Sequence, residues 1–404
     1  MCLYAGATPK SDDVELWNGN IPWITPADYK TEDVFISRGR RSISEKGLQS
    51  CATTILPVNS LVFSKRAPIG LVVLNSVPLC TNQGCIGCVP KDSTTLSKYY
   101  YYVLSAFTEQ FELYGAGTTF KEISATNFAN FIVCMPPFST QQKIADYLDK
   151  VCGEVDEMVA LQETMIEELK AYKQSVITEA VTKGLNPNVS MRESGIDWIG
   201  EIPEHWGIRR MKYLSNVVRG GSPRPAGDTR YYEGNIPFMK VADITKDENI
   251  YVNSCEFSIK EAGLPHTRLI NSGTLLLSNS GATLGVPKIN TFTTTFNDGI
   301  AAFLNLDERI DIVFAYYSLK ARTKQFLESA SLGIGQPNLN TDIIGNTSML
   351  IPPLEEQHAI ASYLNNKCSE IDSLIALKQA KIEELKEYKK SVIYEYVTGK
   401  KEVC

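Results

Sequence analysis

The chain is written twice. Residues Pro136–Gly184 align without a gap to Pro352–Lys400 at an offset of 216, and about half of the positions are identical. PP-x-x-x-Q recurs at Pro136 and Pro352, and IA-x-YL at Ile144 and Ile360. Ile166-Glu167-Glu168-Leu169-Lys170 recurs as Ile382-Glu383-Glu384-Leu385-Lys386. Tyr172-Lys173-x-Ser175-Val176-Ile177 recurs as Tyr388-Lys389-x-Ser391-Val392-Ile393. Self-similarity at a fixed long period means that one structural unit is used again. The segments between repeat more faintly. Gly19-Asn20-Ile21-Pro22-Trp23 matches Gly234-Asn235-Ile236-Pro237-Phe238, and Asn82-Gln83-Gly84 falls opposite Asn297-Asp298-Gly299. The layout is therefore A–helix–A′–helix′, with the helical parts nearly fixed and the A parts drifted apart.

Within the first helical part, Ile144, Leu148, Val151, Val155, Met158, Met165, Leu169, Tyr172 and Val176 recur at alternating spacings of four and three, with Gln162 in the one gap. A sustained seven-residue period reads as a coiled-coil seam. Pro137 and Pro353 suit first turns, and Gly184 and Gly399 suit helix ends. About 40 residues at 1.5 Å each give a rod of about 60 Å. An antiparallel helix pair is expected, against the alternative of two amphipathic core helices of a bundle. Residues 55–75 and 269–289 alternate β-branched and apolar residues with Gly and Pro, which reads as strands and turns, whereas 99–114 and 311–330 have helical spacing. The expected fold class is α/β (α+β), with two mixed domains separated by two long helices in an internal pseudo-twofold repeat. The expected boundaries are 1–138 and 185–350 for the mixed domains, and 139–184 and 351–404 for the helical regions.

At 404 residues there is chain for two or more cores. A hydrophobic share of 43% and a charged share of 21% describe a globular protein. The net charge of −6 argues against nonspecific coating of nucleic acid but leaves room for a local basic face. No apolar run approaches the roughly 18 residues that span a bilayer, and Met1–Gly6 has no basic region followed by an apolar stretch. A cytoplasmic location and no membrane partner are expected. Ten cysteines at irregular spacing fit reduced thiols. Cys80, Cys85 and Cys88 have the C-x4-C-x2-C spacing that opens a plant-type iron–sulfur pattern, with Cys134 as a candidate fourth ligand. The second copy places Thr295, Ile300 and Phe303 there, so these cysteines read as small apolar strand residues, and no metal is expected.

The motifs of an active site are missing. There is no Gly-rich dinucleotide or adenosylmethionine loop, no Asn/Asp-Pro-Pro-Tyr/Phe tetrad and no G-x-x-x-x-G-K-[ST] loop. His205, His266 and His358 stand apart from one another. No catalytic residue and no cofactor are assigned.

What the A segments do carry is donors. Phosphates need Lys, Arg, hydroxyl and amide groups, and base edges need bidentate Arg, Lys, Asn or Gln. In the first domain these are Arg38, Arg40 and Arg41, then Lys65 and Arg66 in Ser64-Lys65-Arg66-Ala67-Pro68-Ile69-Gly70, then Thr118, Thr119 and Lys121 in a Gly-flanked loop. In the second they are Arg219 and Arg224, Arg230, Lys240, Asn279 and Ser280 in place of the Lys-Arg turn, and Gln336 and Asn338. Solvated surface charge is the bland reading of any one of them. The set gains weight because the candidate loops are expected at the same places in both copies while differing in chemistry.

On these features the chain resembles the specificity subunits of type I restriction–modification enzymes. The resemblance is carried by the two near-duplicate helical segments and by GNIPWITPADY, SKRAPIG, TNQG, WIGEIPEHW and GIGQPNLNT. It implies two target-recognition domains that each read half of a bipartite duplex DNA site. It implies helical regions that bind methyltransferase subunits, with restriction subunits recruited through those, and no catalysis by the subunit itself. The outer helix faces, rich in Glu and Lys and nearly the same in both copies, suit two identical partners, so two methyltransferase subunits per chain are expected. One departure stands out. Glu193–Trp206 precedes the second domain, and the repeat offset puts its equivalent before Met1, so roughly 25 residues that the repeat predicts are expected to be missing through truncation, cassette recombination or engineering. The rival class is a coiled-coil adaptor with two protein-binding domains, and a fused methylation–restriction enzyme is a further one. Salt-dependent binding to duplex DNA separates the adaptor from the recognition subunit.

Overall fold

The computed structural model describes residues 1–115, 121–281, 283–331 and 338–403. Two compact units emerge. Unit 1 comprises Met1–Thr164 with Lys378–Cys404, and unit 2 comprises Met165–Leu377. Each unit thus joins one A segment to parts of both long helices, Phe138–Lys183 and Leu354–Val397.

The helix ends follow local chemistry. Each helix begins directly after a Pro-Pro pair, and Gly184 and Gly399 take left-handed φ of 74° and 73° just beyond the other end. The glutamine of PP-x-x-x-Q is buried in both copies. Gln141 Nε2 donates to Thr94 O and Pro136 O, and its Oε1 accepts from Leu96 N. Gln357 repeats all three bonds with Arg309 O, Pro352 O and Asp311 N. Each amide thus satisfies backbone groups that would otherwise be buried without partners.

In unit 1 the helices run antiparallel. Tyr147 stacks near Tyr396 with ring centroids 4.5 Å apart, Asp156 pairs with Lys389 at 2.7 Å, and Gln162 meets Lys378 at 3.3 Å. In unit 2 Lys173 pairs with Asp372 at 2.7 Å, which is the same ion pair with the copies exchanged. The seam differs from the expected one by a residue at alternate positions. Leu148, Cys152, Val155, Ile166 and Val176 are buried, while Met158 and Tyr172 are half exposed, at 51% and 50%. Cys152 and Ile166 are buried where Val151 and Met165 are half-buried, and Val159 and Lys173 are half-buried where Met158 and Tyr172 are exposed. Lys173 occupies a seam position because its ammonium reaches Asp372, so the residue of lower hydropathy wins the inner place.

The A segments share one topology. Unit 1 has a five-stranded sheet in the order Cys2–Ala5, Cys85–Val89, Leu61–Ser64, Val72–Asn75, Phe35–Ile36, and unit 2 has Asn216–Arg219, Ile300–Leu304, Leu275–Ser278, Pro287–Asn290, Tyr251–Val252. A second sheet is built on Trp17–Ile24 in unit 1 and on Tyr232–Met239 in unit 2, each interrupted by an irregularity at Asn18 (φ 60°) or Glu233 (φ 61°). The expected helical stretches form Ser97–Ala106 and Thr108–Tyr114 in one unit, and Ile312–Lys320 and Thr323–Ser331 in the other. Cys80, Cys85 and Cys88 are buried strand residues, and burial pushes their thiols up to about 11, 12 and 12. They pack as small apolar groups.

Candidate nucleic-acid interface

The basic stretches of the first domain meet through a chain of contacts at one rim. The bend holding Arg38–Arg41 turns at Gly39, where a Cβ would come within 2.5 Å of Trp23 O. Arg40 N donates to Asp28 Oδ1 at 2.9 Å and Arg40 Nη2 to Ala27 O. Arg41 lies 3.4 Å from the centre of the Trp17 ring, and exposed Arg38 has no ion pair among the described residues. The strand leading to Asp28 accepts Asn82 N at Ile24 O, Lys65 N donates to Gly84 O, and Ile123 N donates to Lys65 O. So Arg38–Arg41, the Asn82-Gln83-Gly84 turn, the Lys65-Arg66 turn and the stretch from Lys121 lie along one rim.

The Lys65-Arg66 turn is shaped by buried Ser64, whose Oγ donates to Arg66 O and Pro68 O. Its cations are not free. Lys65 Nζ lies 2.7 Å from Glu122 Oε1, and Arg66 Nε lies 2.8 Å from Glu122 Oε2. The hydrogen bond from Lys65, helped by Arg66, holds the Glu122 carboxyl below its ordinary pKa, so one carboxylate clasps two cations. Lys121 beside it is exposed, and Thr118 and Thr119 lie outside the described residues.

In the second domain the same backbone framework carries other side chains. Asn279 N donates to Gly299 O and Leu339 N to Asn279 O, repeating the bonds of Lys65. The Arg66–Glu122 bridge becomes a Ser280–Asn338 bridge. Asn338 is exposed, and Gln336 lies outside the described residues. Asn279 departs from expectation: its side chain is fully buried, and neither amide atom has a partner among the described residues. Ser222 Oγ donates to Asp298 Oδ1 at 2.9 Å, where the first domain sets Thr8 against Gln83. Asp298 also accepts Arg219 Nε at its carbonyl and holds Arg224 at 3.7 Å. Arg230 forks onto Asp228, 2.6 Å at the closest, and Lys240 lies 3.0 Å from the centre of the Phe257 ring.

One expected equivalence fails. Arg219 ends the strand that pairs with Ile300–Leu304, and its counterpart in the first domain is the strand Cys2–Ala5 on Cys85–Val89. Arg41 begins the strand opposite Trp23, and its counterpart is Phe257 opposite Phe238. The Arg38–Arg41 and Arg219–Arg224 clusters therefore stand on different loops of the repeated framework, whereas the Lys65/Asn279 and Lys121/Asn338 loops do correspond. The residues missed at the rim are Glu122, Gln83 and Asp298. The repeated Asn82-Gln83-Gly84 and Asn297-Asp298-Gly299 turns were the signal for two of them. Glu122 gave none, because its partners lie 56 or 57 residues away.

A family model described as the type I restriction modification DNA specificity domain matches residues 2–171 and 203–387. The chain is 29% identical over 387 residues to the type I restriction enzyme MjaIX specificity subunit of Methanocaldococcus jannaschii, covering 90% of this chain and 84% of that one. In fold it resembles a chain solved in work on complex assembly and conformational transition of the type I R-M system, with a TM-score of 0.75, 15% identity and coverage of 98% and 95%. It also resembles the HsdS subunit of Thermoanaerobacter tengcongensis, with a TM-score of 0.54, 16% identity and coverage of 94% and 90%. The chain therefore belongs to the type I restriction–modification DNA specificity family, whose members are the DNA-recognition subunits of these systems.

Proposed function

We propose that the two A segments, residues 1–138 and 185–350, are target-recognition domains that each read one half of a split duplex DNA site. The observation that carries this reading is one backbone framework used twice with different side chains: Lys65 and Arg66 against Glu122 in one copy, and Ser280 bridged to exposed Asn338, with Asn279 buried beside it, in the other. Related frames with different side chains read different bases. Arg38, Arg40, Arg41, Lys121, Arg219, Arg224, Arg230 and Lys240 supply phosphate contacts around these loops, with Thr118, Thr119 and Gln336 in the adjoining loops. The subunit itself is non-catalytic, acts in the cytoplasm and guides methyltransferase and restriction subunits.

The helical regions, 139–184 and 351–404, dock two methyltransferase subunits per chain. Support comes from exposed apolar residues that recur at the repeat offset: Met158, Leu161 and Tyr172 in one helix, Leu374, Leu377 and Tyr388 in the other. A surface presented twice suits two identical partners. Native mass spectrometry of the chain saturated with its methyltransferase is the test. A mass with two methyltransferases is expected, and saturation at one contradicts the stoichiometry.

A further inference from the structure

One turn of the second domain is built differently from its counterpart. In unit 1, Gly70 N donates to Ser64 O, and five residues lie between them. In unit 2, Gly285 N donates to Ser278 O across six. Ser64 Oγ ties down Arg66 O and Pro68 O, whereas Ser278 Oγ donates to Thr283 O and accepts from Val286 N. The tie to the second residue of the turn, Arg66 in one copy and Ser280 in the other, is therefore not repeated. Ala67-Pro68 follows Arg66, and proline fixes its own φ and restricts the residue before it. Gly281 follows Ser280 with a left-handed φ of 86° and nothing within 4 Å of a Cβ placed on it. The second turn is longer, less tied and hinged on glycine, so it rearranges more readily than the first.

Buried amide groups without partners sit at this same turn. Asn279 is fully buried, and neither Oδ1 nor Nδ2 is hydrogen-bonded among the described residues. Asn297, in the adjoining turn, has a buried Oδ1 in the same state, whereas its counterpart Asn82 accepts from Gly84 N at 2.9 Å. A buried amide without partners costs free energy that an apolar side chain of similar size would not. Such a group in a binding loop serves a ligand rather than the fold. A rotamer change alone does not expose it. Asn279 N donates to Gly299 O and Leu339 N donates to Asn279 O, so both of its backbone groups are held. Exposing the amide takes a shift of residues 279–280 away from Asn338 and Leu339, which breaks the Leu339–Asn279 bond and the Ser280–Asn338 bridge.

We propose that Asn279 is a specificity-determining residue, its amide kept inside the free chain and delivered to a base when duplex DNA opens this turn. The inference rests on the reading of residues 185–350 as a target-recognition domain. In the major groove an asparagine amide matches adenine, donating to N7 and accepting from the N6 amino group in a bidentate pair. That pair satisfies both atoms that the free chain leaves without partners. The first domain works differently, since Lys65 and Arg66 are already partly exposed on Glu122 and need no such shift.

The test uses the full chain assembled with its methyltransferase, and duplexes bearing its methylated motif with the A·T pairs of each half replaced one at a time. Asn279→Leu, close to asparagine in size, is compared with the parent. The free variant should unfold at the parent's temperature or higher. It should lose on the order of tenfold to a hundredfold of preference for one adenine of one half, with the other half read as before. Hydrogen exchange of the parent is the second measurement: the Leu339 amide should exchange faster with DNA bound than without it. The inference fails if the preference is unchanged in Asn279→Leu, if the variant unfolds at a lower temperature, or if DNA slows exchange at Leu339. A parent assembly without sequence preference at either half overturns the recognition reading and this inference together. A parent and a variant that both read the two halves overturn this inference alone.

Discussion

Glu122 governs how much positive charge the first domain presents. Its carboxylate holds both Lys65 and Arg66, and its lowered pKa means that the clasp is complete at neutral pH and is lost only as pH falls through that lowered value. Glu122→Gln releases both cations toward phosphates. We expect tighter duplex binding at low salt and a salt-dependence slope steeper by about one to two, as each added phosphate contact contributes roughly one. An unchanged slope in a fluorescence titration across salt would count against the clasp. Arg66→Ala should damage recognition of one half-site only, costing about 1–3 kcal/mol of discrimination there, measured by competition between variant duplexes. The basic residues were legible as single letters. Their neutralisation was not, because a carboxylate 56 residues away is brought to them only by the fold. The burial of Asn279 is hidden for a related reason: its backbone is tied to Gly299 and Leu339, which lie 20 and 60 residues away in the sequence, and its side chain lies inside.

At the scale of elements, the helix pair and its ends could be read from heptads, Pro-Pro starts and Gly stops, while the phase of the seam could not. Hydropathy alone places Met158 and Tyr172 inside. The fold instead seats Lys173 there with Asp372 and turns the apolar pair outward. Leu148→Ala, at a fully buried seam position, should cost about 2–5 kcal/mol in denaturant unfolding. Met158→Asp should change stability by less than about 0.5 kcal/mol yet weaken capture of the methyltransferase subunit. If Met158→Asp destabilises the chain as much as Leu148→Ala, the outward stripe is core rather than a docking face. The Lys173–Asp372 and Asp156–Lys389 pairs are partly exposed and should each contribute less than about 1 kcal/mol, so they set register more than stability.

At the scale of the whole molecule, duplication was the most legible fact, and it carries the central claim. Two domains on one framework, with different side chains on corresponding loops, are expected to read two different short sequences. The spacer between those sequences is expected to follow the length of the two long helices. Inserting one heptad at matching places in both long helices keeps the seam in phase and adds about 10 Å. The unspecified spacer should then lengthen by roughly three base pairs with the halves unchanged. The most direct measurement of the central claim is methylation profiling of DNA from cells that express this chain with its methyltransferase partner. A motif of two short, different, specified halves flanking a fixed-length unspecified spacer is expected, and a single continuous motif would show that the two domains do not read separate half-sites.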